Sequence, residues 1–433
     1  MRPAGPVFCH MNNFFAKVRL VFKDRGLRRR IFFVLGALVV FRVMAAIPVP
    51  GVDSLSLQQF FNSNQFFGLI NLFSGGGLDN VSIVMLGVGP YITASIIMQL
   101  LTMVSAKLKS MYQEEGEAGR KRFAQYSRLL TIPLAVIQSF AFLGLLQRQG
   151  VVVGLSPFEM AVNIIVITAG SMLLMWVGEL ISEFGIGNGV SLIIFAGIVA
   201  SLPSSLSQII FSFTPDQLPL YLAFLFAAVL ITLGVVVVTE AERPIPITYA
   251  KRVRGNRVYG GISTYLPLRV NQAGVIPIIF ALSLLLFPQM IFNFLSNVNN
   301  TVLQAVSRFI FDFINNPWLF ATFYFILVFL FTYFYTAVTF DPDTISKNLQ
   351  KSGAFIPGVR PGQSTALYIG KVLTRLTLVG AIFLGLIAVI PLIMRAVTGI
   401  QSLAIGGTGL LIAVSVVLDL MKKIEAQISM REY

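Results

Sequence analysis

The chain has 433 residues, of which 56% are hydrophobic and only 12% charged, with a net charge of +14 and a mean hydropathy of +0.82. This composition excludes a water-soluble globular protein and makes the bilayer the main solvent. A basic balance alone would suit a nucleic-acid binder. Its distribution instead assigns most of the charge to membrane orientation and anionic-lipid contact, with a polyanion such as ribosomal RNA as the second reading.

Lys17, Arg19, Lys23, Arg25, Arg28, Arg29 and Arg30 precede the first apolar stretch, near 31–47, and mark that end as cytoplasmic. No small-residue processing site follows, so this span is expected to be retained as an anchor. Arg42 lies near its outer end and can snorkel, which avoids the roughly 2.5–3.5 kcal/mol of a fully exposed midplane arginine. The external stretch that follows has no Lys or Arg, but it carries Phe66-Phe67-Gly68-Leu69-Ile70-Asn71-Leu72-Phe73 and then Ser74-Gly75-Gly76-Gly77. That segment is apolar yet too short to span. Two readings of it stand: a re-entrant element buried in protein, or a short helix on the outer leaflet.

Further spans are expected near 82–104, 129–146, 159–181, 189–202, 219–239, 272–292, 318–338, 376–394 and 403–421, the fifth of the full set of ten (189–202) being the shortest. Basic residues return on alternate connections: Lys107, Lys109, Arg120, Lys121 and Arg122, then Lys251, Arg252, Arg254 and Arg257, then Lys347, Lys351, Arg360 and Lys371. Only Arg148, Arg308 and Arg395 fall in the opposite set. Both termini are therefore expected on the cytoplasmic side, as an even span count requires. Ten spans divide into two sets of five, and an odd number in each set implies halves of inverted orientation.

Gly185-Ile186-Gly187-Asn188-Gly189 opens the fifth span and suits close helix approach or unwound backbone. No strand precedes it and its spacing is wrong for a dinucleotide fingerprint. The connections Glu240–Pro267 and Phe340–Gly370 are long, basic and punctuated by Pro and Gly, too structured to serve as tethers. Tyr249-Ala250-Lys251-Arg252 reads as helical, Val258–Tyr265 as a bent extended stretch, and Pro357-Gly358-Val359-Arg360-Pro361-Gly362 as a rigid turn presenting one arginine.

Catalytic groups are scarce at membrane depth. His10 is the only histidine and Cys9 the only cysteine, both ahead of the first span, which removes a His-ligated metal site, a Ser-His dyad and an intrachain disulfide. Glu179 and Glu183 lie at the cytoplasmic end of the fourth span and Asp419 near the end of the last, so no span carries an aspartate pair. No cofactor is expected. The same scarcity weighs against an ion-coupled transporter and favours a pore lined by aliphatic side chains. A secondary transporter of a small amphipathic solute is the runner-up, ahead of a lipid-modifying enzyme that lacks its catalytic residues.

Five blocks resemble the SecY family, the channel subunits of the general protein-secretion translocon: Gly68–Gly76, Pro90–Thr102, Gly185–Gly189, Ala273–Pro277 and Lys351–Gly362. The likeness runs in order from about Arg28 to Leu420. It implies an all-α polytopic fold with ten transmembrane helices in two inverted halves around a pore. The divisions are a cytoplasmic segment 1–30, halves 31–202 and 203–421, loops 240–268 and 339–370, and a tail 422–433. It further implies a plug near 67–80, including Phe67, Ile70, Asn71, Leu72, Phe73, Ser74, Gly75 and Gly76, and a pore ring of Val88, Ile92, Val190, Ile194, Ile279 and Ile412. Thr93, Gln138 and Asn271 map to the polar cluster of a lateral gate. Arg252, Arg254, Arg257, Lys351 and Arg360 map to the cytoplasmic docking surface. The implied partners are the small membrane subunits SecE and SecG, the SecA motor, the ribosome, anionic lipids, and secretory and membrane polypeptides as substrates, all at a bacterial inner membrane.

Overall fold

The structure, a computed structural model, describes residues 24–50, 81–148, 150–152, 156–211, 218–250, 252–254, 257–259, 263–295, 316–398 and 401–429. The fold is mostly helical with several strongly apolar helices. By length and composition, the segments Gly116–Gln147, Pro157–Phe184, Pro317–Lys351 and Gln363–Met394 are each sufficient to cross a hydrocarbon layer, and a bent pair forms a fifth candidate among the described residues.

Helix α1 (Arg25–Ala45) starts where the Asp24 carboxylate accepts from the Gly26 amide at 2.8 Å. Phe41 is buried, while Phe32, Val39 and Val43 remain exposed, an arrangement suited to hydrocarbon on one side. The apolar stretch from residue 82 does not begin as a helix. Residues 83–88 form consecutive turns, buried from Val84 onward, and helix α2 (Gly89–Val104) starts only after them. The cause is a contact distant in sequence: the Ile83 carbonyl lies where a Cβ on Gly170 would sit, so this backbone is pressed against a neighbouring helix.

At Ser105 the chain bends by 113° into the short helix α3 (Ala106–Gln113), whose first turn Ser105 caps. Helix α4 (Gly116–Arg148) contains Pro133 and begins well before the expected span, at its N-terminal end. Helix α5 (Pro157–Phe184) opens with a capping box: the Ser156 amide donates to Glu159 at 2.8 Å, and the Glu159 amide returns to Ser156 Oγ at 3.3 Å. Helix α6 (Gly189–Phe211) continues through Pro203, so the fifth apolar stretch belongs to a helix longer than the 189–202 expected. Helix α7 (Leu218–Glu240) follows, with Leu225, Phe226, Leu233 and Val237 exposed.

A small β-region comes next. Strands β1 (Glu242–Tyr249), β2 (Arg252–Arg254), β3 (Arg257–Tyr259) and β4 (Ser263–Arg269) precede helices α8 (Ile276–Leu295), α9 (Pro317–Thr339) and α10 (Pro342–Lys351). The two-residue strand β5 (Ala354–Phe355) leads to the long helices α11 (Gln363–Thr398) and α12 (Gln401–Ser429). β4, β1 and β5 form one antiparallel sheet in that order, and β2 pairs with β3. The expected helical character of Tyr249–Arg252 is therefore wrong. Ile245 and Ile247 alternate inward along β1, and Tyr249 is held extended by its pairing with Ala354.

Prolines sit where this sheet can carry them. The Ala250 amide donates to the Gly353 carbonyl at 2.9 Å, and the Val270 amide to the Ala241 carbonyl at 2.9 Å. That phase points the backbone of residues 244 and 246 away from β4, and that of residue 267 away from β1. Pro244, Pro246 and Pro267 thus lose no ladder bond to the neighbouring strand, and they blunt both free edges against strand addition.

The chain packs as two compact units: one holds the residues up to Ala94, Gln125–Ser204 and those from Val416 onward; the other holds Ser95–Ala124 and Ser205–Ser415. In the first, α1 packs on α5, with Phe33 against Phe184. In the second, α9 packs between α8 and α11: Phe280 meets Phe331 and Tyr335 edge-on, and Gly385 admits the Phe325 ring.

Candidate channel residues and docking surface

Val88 is wholly buried just ahead of α2, and its carbonyl accepts from the Ile92 amide at 3.0 Å. One helical turn therefore stacks Val88 and Ile92 on the same side of α2, and the same spacing stacks Val190 and Ile194 on α6. These four residues belong to the first unit; Ile279 on α8 and Ile412 on α12 belong to the second. Ile92, Ile194, Ile279 and Ile412 are buried and Val190 is half-buried. No charged side chain stands among the six.

The glycine run between α5 and α6 has a steric purpose. A Cβ on Gly189 would collide with the Gly178 carbonyl, and one on Gly185 would press on Val34 of α1 at 2.7 Å. Gly187 adopts φ +94°, a conformation open to glycine. The Gly189 amide donates to Ser182 Oγ at 2.8 Å, and Asn188 Oδ1 accepts from Val190 at 3.1 Å and Ser191 at 3.3 Å, capping α6. Close approach and a tight helix start fix Val190 and Ile194.

The expected plug residues Phe67, Ile70, Asn71, Leu72, Phe73, Ser74, Gly75 and Gly76 lie outside the described residues. The backbone on either side of that segment is tied together within the first unit. Pro48 and Ser82 form an antiparallel bridge, the Val49 amide donates to the Val81 carbonyl at 2.9 Å, and Asn163 Nδ2 donates to the Pro50 carbonyl at 3.4 Å. Val81 itself is fully buried at φ +42°, a conformation costing a β-branched residue about 1–3 kcal/mol and kept only where the surroundings enforce it.

Thr93 donates to its own helix, to the Gly89 carbonyl at 3.0 Å. Gln138 is buried on α4. Asn271 is buried before α8, and its Nδ2 donates to the Gly274 carbonyl at 3.3 Å, where Gly274 turns at φ +62°; its Oδ1 has no partner among the described residues. Thr93 and Gln138 fall in the first unit and Asn271 in the second.

The two long basic connections hold what the sequence did not disclose. Thr248 pairs with Phe355 and Tyr249 with Ala354, so the two long basic connections build one sheet. Ile245, Leu268, Ile356, Ile369 and Val372 form the core beneath it, joined by Phe340 and Val359. The turn before α11 is held by Ser346 Oγ donating to the Gly362 carbonyl at 2.6 Å and Thr365 Oγ1 to the Arg360 carbonyl at 2.8 Å. Gly358 at φ +82° and Gly362 at φ +99° set the bend, leaving Arg360 and Lys351 exposed, as the expected rigid turn requires. In the ribbon, Arg252 pairs with Tyr259, Val253 with Val258 and Arg254 with Arg257. Alternation about Gly255-Asn256 is a two-residue hairpin signal that the sequence reading missed. The β1–β5 pairing left no local signal, because Ala354-Phe355 is too short to register as a strand.

These features define a polytopic helical membrane protein with a small β-platform built from two long connections and a set of aliphatic helix positions suited to a pore. The sequence profile of the SecY family matches residues 82–421, and the chain belongs to that family. It is 46% identical over 417 residues to the protein translocase subunit SecY of Thermus thermophilus, covering 94% of each chain. It is 43% identical over 427 residues to that of Mycobacterium tuberculosis H37Rv, covering 94% of this chain and 96% of the other. Among solved structures, "The structure of a protein conducting channel" superposes with a TM-score of 0.62 at 21% identity, covering 91% of both chains. "Sec61 in the Canine ribosome-channel complex from the endoplasmic reticulum" superposes with a TM-score of 0.58 at 19% identity, covering 91% of both. Membership makes the chain a translocase channel subunit and not an enzyme.

Proposed function

We propose that this chain conducts unfolded secretory polypeptides across the bacterial inner membrane and releases their apolar segments sideways into lipid. The observation that carries the reading is the match of residues 82–421 to the SecY family together with translocase relatives at 43–46% identity. Val88, Ile92, Val190, Ile194, Ile279 and Ile412 form the pore ring in this reading. An aliphatic constriction of that kind repels ions by dewetting and parts for a chain of side chains.

Ten spans in two inverted halves, 31–202 and 203–421, would surround that ring, with both termini cytoplasmic and the plug of residues near 67–80 beneath it. Thr93, Gln138 and Asn271 serve the lateral gate, where an apolar segment partitions into lipid and a polar one stays in the pore. The chain supplies no bond chemistry, so directional force comes from a partner: SecA, or the ribosome during synthesis. SecE and SecG are the companion subunits, and anionic lipids meet the cytoplasmic arginines and lysines.

Reconstitution with SecE, SecG and SecA in anionic-lipid vesicles tests this. A secretory precursor should become protected from external protease in an ATP-dependent manner. Counterflow of a small amphipathic solute with no precursor protection would refute the channel and favour a secondary transporter.

A further inference from the structure

We infer that the groove between α9 and α11 binds one anionic phospholipid, with Lys371 and Arg375 on its phosphodiester and the exposed apolar flank of α11 along its acyl chains. The inference rests on the bilayer orientation and the lipid partnership proposed above, and it narrows that partnership to one site. Lys371, Arg375, Leu378, Ile382 and Leu386 follow one another at spacings of four, three, four and four residues, which sets them in a single stripe along α11. All five are exposed. Helix α9 supplies the wall beside the stripe. Phe325, Phe329 and Tyr333 recur every fourth residue, with successive ring centroids 6.4 and 5.2 Å apart, and each is half-buried. The Tyr333 hydroxyl donates to the Thr374 carbonyl at 3.4 Å, and the Phe325 ring fills the space that a Cβ on Gly385 would need. The two helices are thus tied together at both ends of the stripe, so the groove keeps its shape before a ligand arrives.

Charge selects the head of the ligand. Helix α11 contains no Asp or Glu, and α9 contains no charged residue at all. Asp341 and Asp343, at the start of α10, come near through Pro342, which packs on Gly370. Asp341 is already engaged by the Asp343 amide at 3.1 Å and the Thr344 hydroxyl at 2.6 Å, and neither acid pairs with Lys371 or Arg375 among the described residues. Cations four residues apart on a helix lie about 6 Å from each other at Cβ, within reach of one phosphodiester. Depth selects the tail. The apolar stretch expected to span, 376–394, begins one residue after Arg375, so the cations stand at headgroup level and the next turn of the stripe stands in hydrocarbon. A soluble polyanion would meet the cations and gain nothing from Leu378, Ile382 and Leu386. A zwitterionic lipid would bring its own cation to the pair, which leaves a lipid of net negative charge as the ligand that satisfies both parts.

The test is quenching of tryptophan fluorescence by brominated lipids in vesicles holding the channel with its companion subunits. In a chain carrying Trp176→Phe and Trp318→Phe, Leu378→Trp places the reporter in the stripe, and Phe226→Trp places it on the exposed flank of α7, which has no Lys or Arg. Brominated phosphatidylglycerol and brominated phosphatidylcholine then give the relative affinity of the two lipids at each reporter. At Leu378→Trp phosphatidylglycerol should be favoured about fivefold, and at Phe226→Trp by less than about twofold. Lys371→Gln together with Arg375→Gln should lower the preference at Leu378→Trp to the α7 value, with the α7 reporter unchanged as the check that the chain is folded. A preference at Leu378→Trp no greater than that at α7 overturns the proposal, as does one that survives the double substitution. Quenching by neither lipid at Leu378→Trp also overturns it, assigning the groove to a companion subunit or a second copy. Loss of the preference on adding inorganic phosphate at constant ionic strength overturns it as well, assigning the cations to a soluble anion. Precursor protection in the same vesicles reads the channel separately, so lost lipid preference with protection intact is a failure of this site alone.

Discussion

Thr248 and Phe355 are register partners in an antiparallel pair, which joins two connections far apart in the chain into one sheet. The apolar core under that pair holds side chains from both connections, so each should depend on the other. Ile245 is 2% exposed, and Ile245→Ala should cost about 2–5 kcal/mol of local stability. Limited proteolysis should then cut faster in both 240–270 and 340–362. Faster cleavage confined to 240–270 would show that the loops fold independently.

Arg360 is exposed on a turn that two hydroxyl groups hold rigid. Arg360→Glu should impair SecA-driven export while membrane insertion and abundance stay normal. Export at the wild-type rate would remove this residue from the docking surface.

Ile92 lies one turn beyond Val88 on α2. Ile92→Asn replaces a buried aliphatic group with an amide that wets the constriction, so resting ion conductance in planar bilayers should rise several-fold. A silent variant would place Ile92 outside the barrier.

Deleting Phe67 to Phe73 removes the apolar part of the expected plug. The same bilayer recording should again show resting leakage, and wild-type tightness would deny that segment a sealing role.

Gly189 lies against the Gly178 carbonyl, and its amide donates to Ser182. Gly189→Ala should force α5 and α6 apart at a cost of about 1–3 kcal/mol, read as a lower thermal unfolding midpoint in detergent. An unchanged midpoint would mean that the helix pair is looser than the contact implies.

Much of this architecture was legible because membrane helices announce themselves locally. The stretches near 129–146, 159–181, 318–338 and 376–394 lie on α4, α5, α9 and α11, whose apolar runs need no partner to be recognised. The misreadings arose where a distant contact decides the backbone. Val84 to Val88 is as apolar as a span, yet the close packing of Ile83 on Gly170 keeps the segment in turns until Gly89. Tyr249 to Arg252 has helix-forming residues, yet Ala354 captures Tyr249 in a ladder that no local pattern reveals. The residues proposed for the pore and gate are ordinary aliphatic and small polar side chains. Their composition carries no functional mark, and only the ordered family motifs singled them out.

The central claim is that a polypeptide passes through an aliphatic ring, and photocrosslinking of an arrested precursor tests it most directly. With a photoreactive residue at Ile92, Ile194 or the exposed Phe226 of α7, a precursor held in mid-transit should crosslink at Ile92 and Ile194 and not at Phe226. Crosslinks at Phe226 alone, or at none of the three while the precursor is protease-protected, would place the path elsewhere.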